Sequence, residues 1–392
     1  MLFCVFNTKK LENIRKGGIG VKDERWLLIA LHETEGVGRK SIARLRGQRM
    51  FSGDMLHYNS RDWEEAGFPE EKAKLLSERI TPDLIEELKS RKLEGGGCIL
   101  TFLDEDYPAY LKEIAEPPWV LYCTGKRGLL QTPGVAMVGT RVPTAYGRKV
   151  GQELAEGISA AGFTIVSGMA RGIDSVCHEA ALACGGNTIA VMGTGHGVIY
   201  PPENRGLYER IAEDGLILTE YPSGTKSHPG LFPQRNRIIA GLTLGTLVVE
   251  ADSRSGSLIT ADLALEAGRD VFAVPGPVTS PKSRGALNLI KQGAKMVLNA
   301  EDVIEEYDSW LPKGFEDTYN RERQMLEDTR LPADHLTMDE LGIYHILEQG
   351  PSTLDELLQQ TGWDFGHLHS VLLSLIIKKQ ITQLSGAIYK LI

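Results

Sequence analysis

Thr164-Ile-Val-Ser-Gly-Met-Ala-Arg-Gly-Ile-Asp174 decides the fold, because a short apolar run passes directly into a glycine-containing turn and then into a helical pattern. The same transition follows Val135–Val138, where Gly139-Thr140-Arg141 comes next. Short runs rich in Val, Ile and Leu that alternate with helical stretches are typical of buried parallel strands covered by helices on both faces. The predicted strands are Val135–Val138, Thr164–Val166, Thr188–Met192, Leu216–Thr219, Thr246–Glu250 and Asp270–Val274. We therefore predict an α/β fold with a Rossmann-like parallel sheet in the central part of the chain.

Small residues, hydroxyl groups and free backbone amides follow these strands. They occur at Gly139-Thr140-Arg141, Ser167–Asp174, Gly193-Thr194-Gly195, Ala251–Ser257 and Pro275-Gly276. Ligands of parallel α/β sheets bind outside the carboxyl ends of the strands, and glycines and helix N-termini there let backbone amides approach an anion. The pattern therefore predicts an anion-binding rim. A P-loop triphosphatase and an NAD enzyme are disfavoured, because the P-loop signature and the full dinucleotide fingerprint are both missing.

The flanks of this central region have different textures. Residues 1–22 are predicted as a flexible leader, 23–94 as a helical domain, 95–308 as the Rossmann-like domain, 309–334 as a linker and 335–392 as a winged-helix domain. In the helical domain, Gly36-Val37-Gly38 before a helix is the pattern of a helix-hairpin-helix, which presents backbone amides to a phosphate. A plain helical turn is an equally good interpretation of so short a motif.

Composition limits the possible functions. The 392 residues have a net charge of -9, so any contact with nucleic acid would need a local basic groove. The five cysteines are scattered, which disfavours both zinc ligation and a disulfide framework. No apolar run reaches the roughly 18 residues of a membrane helix, and the first residues lack the charge order of a signal peptide. We expect a cytoplasmic protein without contact to a membrane.

The loop Tyr221–Arg237 differs from the rest of the rim, because it combines cations with an aromatic residue. It contains Lys226, His228, Phe232, Arg235 and Arg237. Cations supply charge for phosphates and an aromatic ring supplies a flat face for a base, so the combination suits single-stranded nucleic acid. One of the two arginines could instead pair with a carboxylate such as Glu250. The sequence does not decide which of them faces DNA, and both being structural is the less favoured alternative.

Several long motifs together carry a family resemblance. Phe232-Pro-Gln-Arg-Asn-Arg-Ile-Ile-Ala-Gly-Leu242, Ser167–Asp174 and Val271-Phe-Ala-Val-Pro-Gly276 occur in one order along the chain. On these motifs the chain resembles the DNA-processing protein A (DprA/Smf) family. The resemblance covers roughly residues 98–306 in detail, and the flanking helical and winged-helix domains fit the family's common layout.

The resemblance implies a protein that binds single-stranded DNA, protects incoming DNA and loads the RecA recombinase during natural transformation or recombination. It also implies a homodimer formed through the Rossmann-like domain, no enzymatic activity and no cofactor. Carried over residue by residue, it gives these DNA contacts: Gly139, Arg141, Ser167, Gly168, Gly224, Lys226, Phe232, Arg235 and Arg237. Two positions depart from many relatives, which have an acidic residue at Gly197 and a basic residue at His228. The second departure makes the groove less positive near neutral pH.

Two other functions compete with this one. Related Rossmann-like folds cleave nucleoside monophosphates with an acidic residue at a similar rim, and Glu250 could be that residue. A sequence-specific regulator that uses the winged helix is weaker, because the predicted recognition helix Phe365–Lys378 has no arginine to contact guanine.

Overall fold

The computed structural model describes residues 21–48, 51–91, 93, 96–310, 336–348, 350–378, 380–384 and 388–391. Nearly all of the predicted leader and nearly all of the predicted linker lie outside these residues. The chain divides into two compact units, residues 1–311 and 312–392. The finer domain boundaries within the first unit stay predictions.

Helices precede the sheet in the first unit. They are α1 (Val21–His32), α2 (Arg39–Gly47), α3 (Ser60–Glu65), α4 (Glu70–Arg79) and α5 (Pro82–Ser90). The turns before α2 and α4 each contain a glycine in the left-handed region, Gly36 at φ +77° and Gly67 at φ +88°, which only glycine adopts at little cost. Leu27, Ile42 and Trp63 are fully buried in the core that these helices share. The predicted helical region is thus present, whereas its identity as a helix-hairpin-helix and a role in phosphate binding stay predictions.

The first unit is built on one sheet, to which nine strands of the described residues belong. They are β1 (Cys98–Thr101), β2 (Val120–Gly125), β3 (Gly134–Val138), β4 (Thr164–Ser167), β5 (Thr188–Val191), β6 (Leu216–Thr219), β7 (Gly245–Val248), β8 (Asp270–Ala273) and β9 (Lys295–Met296). Their order is β1-β2-β6-β5-β4-β3-β7-β8-β9. The seven strands β6-β5-β4-β3-β7-β8-β9 pair in parallel with their neighbours. β1 pairs with β2, and β2 with β6, in antiparallel fashion. The predicted α/β fold with a Rossmann-like parallel sheet is confirmed.

Helices follow the strands of the sheet along the chain. The helices between parallel strands are α7 (Ala145–Ala160), α8 (Ile173–Ala183), α9 (Arg205–Asp214), α10 (Leu231–Gly241), α11 (Gly256–Glu266) and α12 (Arg284–Lys291), whereas α6 (Ala109–Glu113) lies between β1 and β2 and α13 (Glu301–Ile304) follows β9. Strand residues such as Val138, Val166 and Leu218 form the core with Ile238 of α10. Because the crossover helices run back against the strands, their first turns lie at the carboxyl ends of the strands. Thr144 and Ser255 cap α7 and α11 there, each accepting a hydrogen bond from a backbone amide.

The second unit combines three described helices with a small sheet. Its elements are α14 (Met338–Glu348), β10 (Ser352–Thr353), α15 (Leu354–Thr361), α16 (Phe365–Ile377), β11 (Ile381–Leu384) and β12 (Ile388–Leu391), with the sheet order β10-β12-β11. The buried Glu340 joins α14 to the end of α16, since it accepts hydrogen bonds from Ser374 and Lys378 at 2.6 and 2.7 Å. Burial raises the pKa of Glu340, but these hydrogen bonds outweigh it and lower the pKa to about 2. The predicted winged-helix fold is confirmed, with β10 as an additional strand too short to show a sequence period.

Candidate nucleic-acid interface

An open cavity of about 490 Å³ lies at the edge of the sheet where the parallel strands end. Loops after β3, β4, β5 and β7 and the first turns of α10 form its walls. β3 lies between β4 and β7, so the chain winds outward in both directions from this point. Ligands of doubly wound sheets bind at such a switch point. The charged residues that line the cavity are Arg141, Asp174 and Arg235.

Arg141 and Phe232 form a cationic and aromatic pair at the cavity. The exposed Arg141 guanidinium carbon lies 5.9 Å from the centre of the half-buried Phe232 ring. The ring of Tyr200 packs against Phe232 at a centroid distance of 5.3 Å. A Cβ atom at Gly193 would come within 2.7 Å of the Phe232 ring, so only glycine lets the loop after β5 pass beneath it. The pair therefore offers a positive charge and a ring held in a fixed position.

Arg235 forms part of the cavity wall instead of projecting into it. Its side chain is buried, and Nη1 donates hydrogen bonds to the backbone oxygens of Gly168, at 2.7 Å, and of Val191. Burial lowers the pKa of Arg235 to about 10. A Cβ atom at Gly168 would lie 2.4 Å from the guanidinium, so this buried glycine makes room for the arginine. Arg235 thus joins the ends of β4 and β5, and its bonded Nη1 points into the protein.

Arg237 does not line the cavity, which corrects the expectation that it could face DNA. Its guanidinium donates to both carboxylate oxygens of Glu220, at 2.9 and 2.6 Å, and its Nε donates to the backbone oxygen of Glu116. Both partners of this ion pair are buried. Both arginines are therefore bonded to groups inside the protein. From the sequence, this structural role for both of them was the less favoured alternative. The partner carboxylate is Glu220 and not Glu250.

Ser167 also requires a correction. It is fully buried at the end of β4, and its hydroxyl donates to the backbone oxygen of Met137 at 2.6 Å, so the hydroxyl is not presented to a ligand. Gly139, in contrast, is half-buried and lines the cavity. A Cβ atom there would lie 2.6 Å from Ile173, the first residue of α8. Glycine at this position therefore lets the loop after β3 approach the first turn of that helix.

Asp174 is a site residue that the sequence analysis did not single out. It is buried, lines the cavity, and accepts hydrogen bonds from the backbone amides of Gly168 and Ala170 at 3.2 and 3.3 Å. Burial raises its pKa, and Arg235 and the two amides oppose that rise. The carboxylate thus fixes the loop between β4 and α8. Its position at the start of a helix was the signal that could have identified it.

Glu250 does not face the cavity. Its buried carboxylate accepts hydrogen bonds from the backbone amide and the hydroxyl of Thr144, both at 2.8 Å. It therefore anchors the start of α7. The residue suggested as the base of a nucleotide-cleaving enzyme thus has a structural partner.

Gly224 and Lys226 lie on the exposed loop between β6 and α10 and do not line the cavity. Gly224 has φ +83°, which allows the tight turn of the loop. The exposed His228 accepts a hydrogen bond from the backbone amide of Gly230. These residues are accessible to a ligand that leaves the cavity on this side.

The described part of the chain includes no helix that is long and apolar enough to cross a membrane. The same residues include no group of three or more His, Cys, Asp or Glu side chains arranged to hold a metal ion.

Comparisons with known proteins match most of the chain to one family. Residues 98–308 match the family described as DNA recombination-mediator protein A, and residues 327–387 match the DprA winged helix domain. Protein Smf of Synechocystis sp. is 36% identical over 388 residues, which cover 92% of this chain and 89% of that protein. The DNA processing protein DprA of Bacillus subtilis is 44% identical over 230 residues, which cover 58% of this chain and 77% of that protein.

Two solved structures are similar in fold and sequence. The structure of DNA processing protein A from Streptococcus pneumoniae matches at 36% identity and a TM-score of 0.63, covering 71% of this chain and 96% of its own. DNA processing protein A from Helicobacter pylori, whose structure is described for its single-stranded DNA binding mode, matches at 32% identity and a TM-score of 0.51, covering 57% of this chain and 100% of its own. With the family match over more than half of its length, this chain belongs to the DprA/Smf family of DNA-processing proteins.

Proposed function

We propose that this protein binds single-stranded DNA at the cavity, without strong sequence preference, and presents it to the RecA recombinase. The observation that carries the proposal is the Arg141–Phe232 pair at the open end of the cavity. An arginine can pair with a phosphate while an aromatic ring stacks with any base, so the combination tolerates every sequence. The single-stranded DNA binding described for the Helicobacter pylori relative supports the same function.

The residues of the site divide into contacts and supports. Arg141 and Phe232 are the proposed contacts in the cavity, Gly139 allows close approach of the backbone, and Lys226 on the exposed loop binds a phosphate outside it. Ser167, Gly168 and Arg235 support the wall through their internal hydrogen bonds and packing. Arg237 acts through its ion pair with Glu220 and its hydrogen bond to the backbone oxygen of Glu116. The protein performs no covalent chemistry in this proposal, so it is a binding protein and not an enzyme.

The protein acts as a homodimer in the cytoplasm during natural transformation or recombination. The edge of the sheet at β9 supports the dimer, because Leu265, Met296 and Leu298 near it are 60%, 48% and 68% exposed. Exposed apolar side chains close together are typical of protein interfaces. When one groove of a dimer holds a strand of DNA, the effective concentration of that strand at the second groove rises. This compensates for the short binding site of a single protomer.

Fluorescence anisotropy with a labelled single strand and with the duplex of the same sequence tests the proposal. The single strand should bind at least tenfold more tightly, because the bases of a duplex are not free to stack on Phe232. Lys126→Ala is the control and should bind the single strand as tightly as the wild type. Lys126 follows β2 at the end of the sheet opposite to the cavity, and its ammonium lies 3.5 Å from the carboxylate of the exposed Asp214. Equal affinity for the two DNAs would contradict the proposal.

Two further measurements test the finer parts of the function. Incubation with nucleoside monophosphates should release no free base, and release that Asp174→Asn abolishes would favour the enzyme instead. RecA filaments should assemble faster on single-stranded DNA when this protein is present. An unchanged rate of assembly would remove the recombinase from the proposal and leave DNA binding intact.

A further inference from the structure

The cavity has few exposed cations of its own. Arg141 is exposed, but Arg235 is buried, and Arg171, which lines an adjoining pocket, pairs with Glu203. A strand of several nucleotides carries one negative charge for each phosphate, and binding proteins neutralise several of them. Positive charge beyond the cavity would therefore determine how long a strand the protein can hold.

A basic surface begins at the cavity wall. We call it the second rim surface, and it consists of residues 141–149, 251–257 and 275–285, which follow β3, β7 and β8. These segments contain six basic residues and one acidic residue, in a chain whose net charge is -9. The basic residues are Arg141, Arg148, Lys149, Arg254, Lys282 and Arg284, and the acidic residue is Asp252. Lys149 lies 3.6 Å from the carboxylate of Glu153, which leaves five basic residues to one acidic residue on this surface. A local excess of positive charge on an acidic protein favours an anionic ligand.

The three segments form one continuous surface. The hydroxyl of Tyr146 donates to the backbone oxygen of Pro275 at 2.7 Å, and Lys282 donates to the backbone oxygen of Val142. The amide of Gly285 donates to the backbone oxygen of Ala251 at 2.8 Å. Arg141 and Ser255–Ser257 also line the cavity. A strand that leaves the cavity on this side therefore meets the second rim surface without a gap.

An aromatic ring lies among these cations. Tyr146 is 46% exposed, although its hydroxyl is held by Pro275. A ring fixed by its own hydrogen bond loses little freedom when a base stacks on it. Val278, which is 79% exposed, adds apolar surface in the same segments. Cations that alternate with an exposed ring are the features of a single-strand binding groove.

We propose that single-stranded DNA extends from the cavity across the second rim surface, where a base stacks on Tyr146 and phosphates bind Lys282 and Arg254. This inference rests on the proposed function and adds a second subsite to it. It predicts that the protein holds a longer strand than the cavity alone can hold.

The test compares two lengths of labelled oligothymidine on the full chain. Lengths of about six and about fifteen nucleotides span the site sizes typical of single-strand binding grooves. Tyr146→Ala should weaken binding of the long strand about fivefold or more and leave binding of the short strand unchanged. Tyr146→Phe should keep most of the affinity, because it retains the ring. Lys282→Gln should reduce the salt dependence for the long strand only, by about one phosphate contact.

Controls separate this inference from the proposed function. Phe232→Ala should weaken both lengths, and a wild-type protein that binds neither would contradict the proposed function itself. If wild type binds both and Tyr146→Ala matches it on the long strand, the second subsite does not exist. Equal loss on both lengths would also overturn the inference. The long strand could also bind a second protomer through its cavity. Tyr146→Ala leaves the cavity intact, so binding of a second protomer does not explain a loss on the long strand alone.

Discussion

Arg235 and Arg237 differ by one position in the sequence, and each guanidinium has its own internal partners. Arg235 donates to backbone oxygens at the ends of β4 and β5, whereas Arg237 pairs with the carboxylate of Glu220. A guanidinium has five donors in a rigid plane, so it can join several acceptors that packing leaves unpaired. We therefore expect loss of Arg237 to destabilise the folded protein more than it weakens DNA binding.

Arg237→Met should lower the free energy of unfolding by about 3–5 kcal/mol, because it leaves the Glu220 carboxylate buried without its partner. The double variant Glu220→Met/Arg237→Met should recover a large part of that loss, since no buried charge remains. Urea unfolding of the wild type, both single variants and the double variant measures the coupling. Additive effects of the two substitutions would show that the pair is not a coupled buried interaction.

His178 should make the protein less stable in acid. Burial lowers its pKa to about 3 in the folded protein, and its Nδ1 is 2.7 Å from the hydroxyl of Thr188. Between that value and the ordinary histidine pKa of about 6.5, the unfolded chain binds a proton that the folded chain does not, so stability falls as the pH is lowered. His178→Phe removes the imidazole that takes up this proton. The free energy of unfolding of this variant should depend on pH less steeply than that of the wild type between pH 6 and 4, by up to about 1.4 kcal/mol per pH unit. Parallel pH profiles of the two proteins would contradict the assignment.

At the scale of elements, the loop between β4 and α8 shapes the cavity. Met169 has φ +59° although it is not a glycine, and Gly172 has φ +81°. Asp174 holds this loop through two backbone amides. A loop that is fixed before DNA arrives loses less entropy on binding.

Gly172→Ala should destabilise the protein by about 2–4 kcal/mol, because a side chain is strained at positive φ and must displace its surroundings. Its Cβ atom would lie 2.3 Å from the backbone oxygen of Thr140. Gly128→Ala is the matched control, since a Cβ atom there meets nothing within 4 Å. Thermal melting of both variants gives the comparison, and equal melting temperatures would show that the loop adapts at little cost.

Strand and loop positions could be predicted from the sequence, because apolar periodicity and glycine motifs are local. The predicted strand at Thr164–Val166 differs from β4 by one residue, and Gly139 lines the cavity as expected. The direction of individual side chains could not be predicted. Ser167 is buried because it ends β4 facing Met137 of the neighbouring strand, and Arg237 is buried because β6 brings Glu220 beside α10. Both contacts join parts of the chain that are distant in sequence, so no local pattern indicates them.

At the scale of the whole molecule, we expect a dimer formed through the edge of the sheet at β9. Leu298→Glu should shift the protein toward monomer, because it places a charge among exposed apolar side chains at that edge. Leu75→Glu is the matched control, since Leu75 is also exposed but lies on α4. Sedimentation equilibrium at micromolar concentration measures the change. A wild-type protein that is already monomeric, or a Leu298→Glu protein that stays dimeric, would contradict this interface.

The central claim is that Arg141 binds phosphate and Phe232 binds a base in the same cavity. A salt titration of single-stranded DNA binding by wild type, Arg141→Ala and Phe232→Ala tests it most directly, with thermal melts to confirm folding. Arg141→Ala should weaken binding by about 1–3 kcal/mol and reduce the slope of log affinity against log salt by about one, because one phosphate contact is lost. Phe232→Ala should weaken binding by a similar 1–3 kcal/mol or so at an unchanged slope, because stacking releases no counterion. Folded variants that bind like the wild type at every salt concentration would contradict the claim.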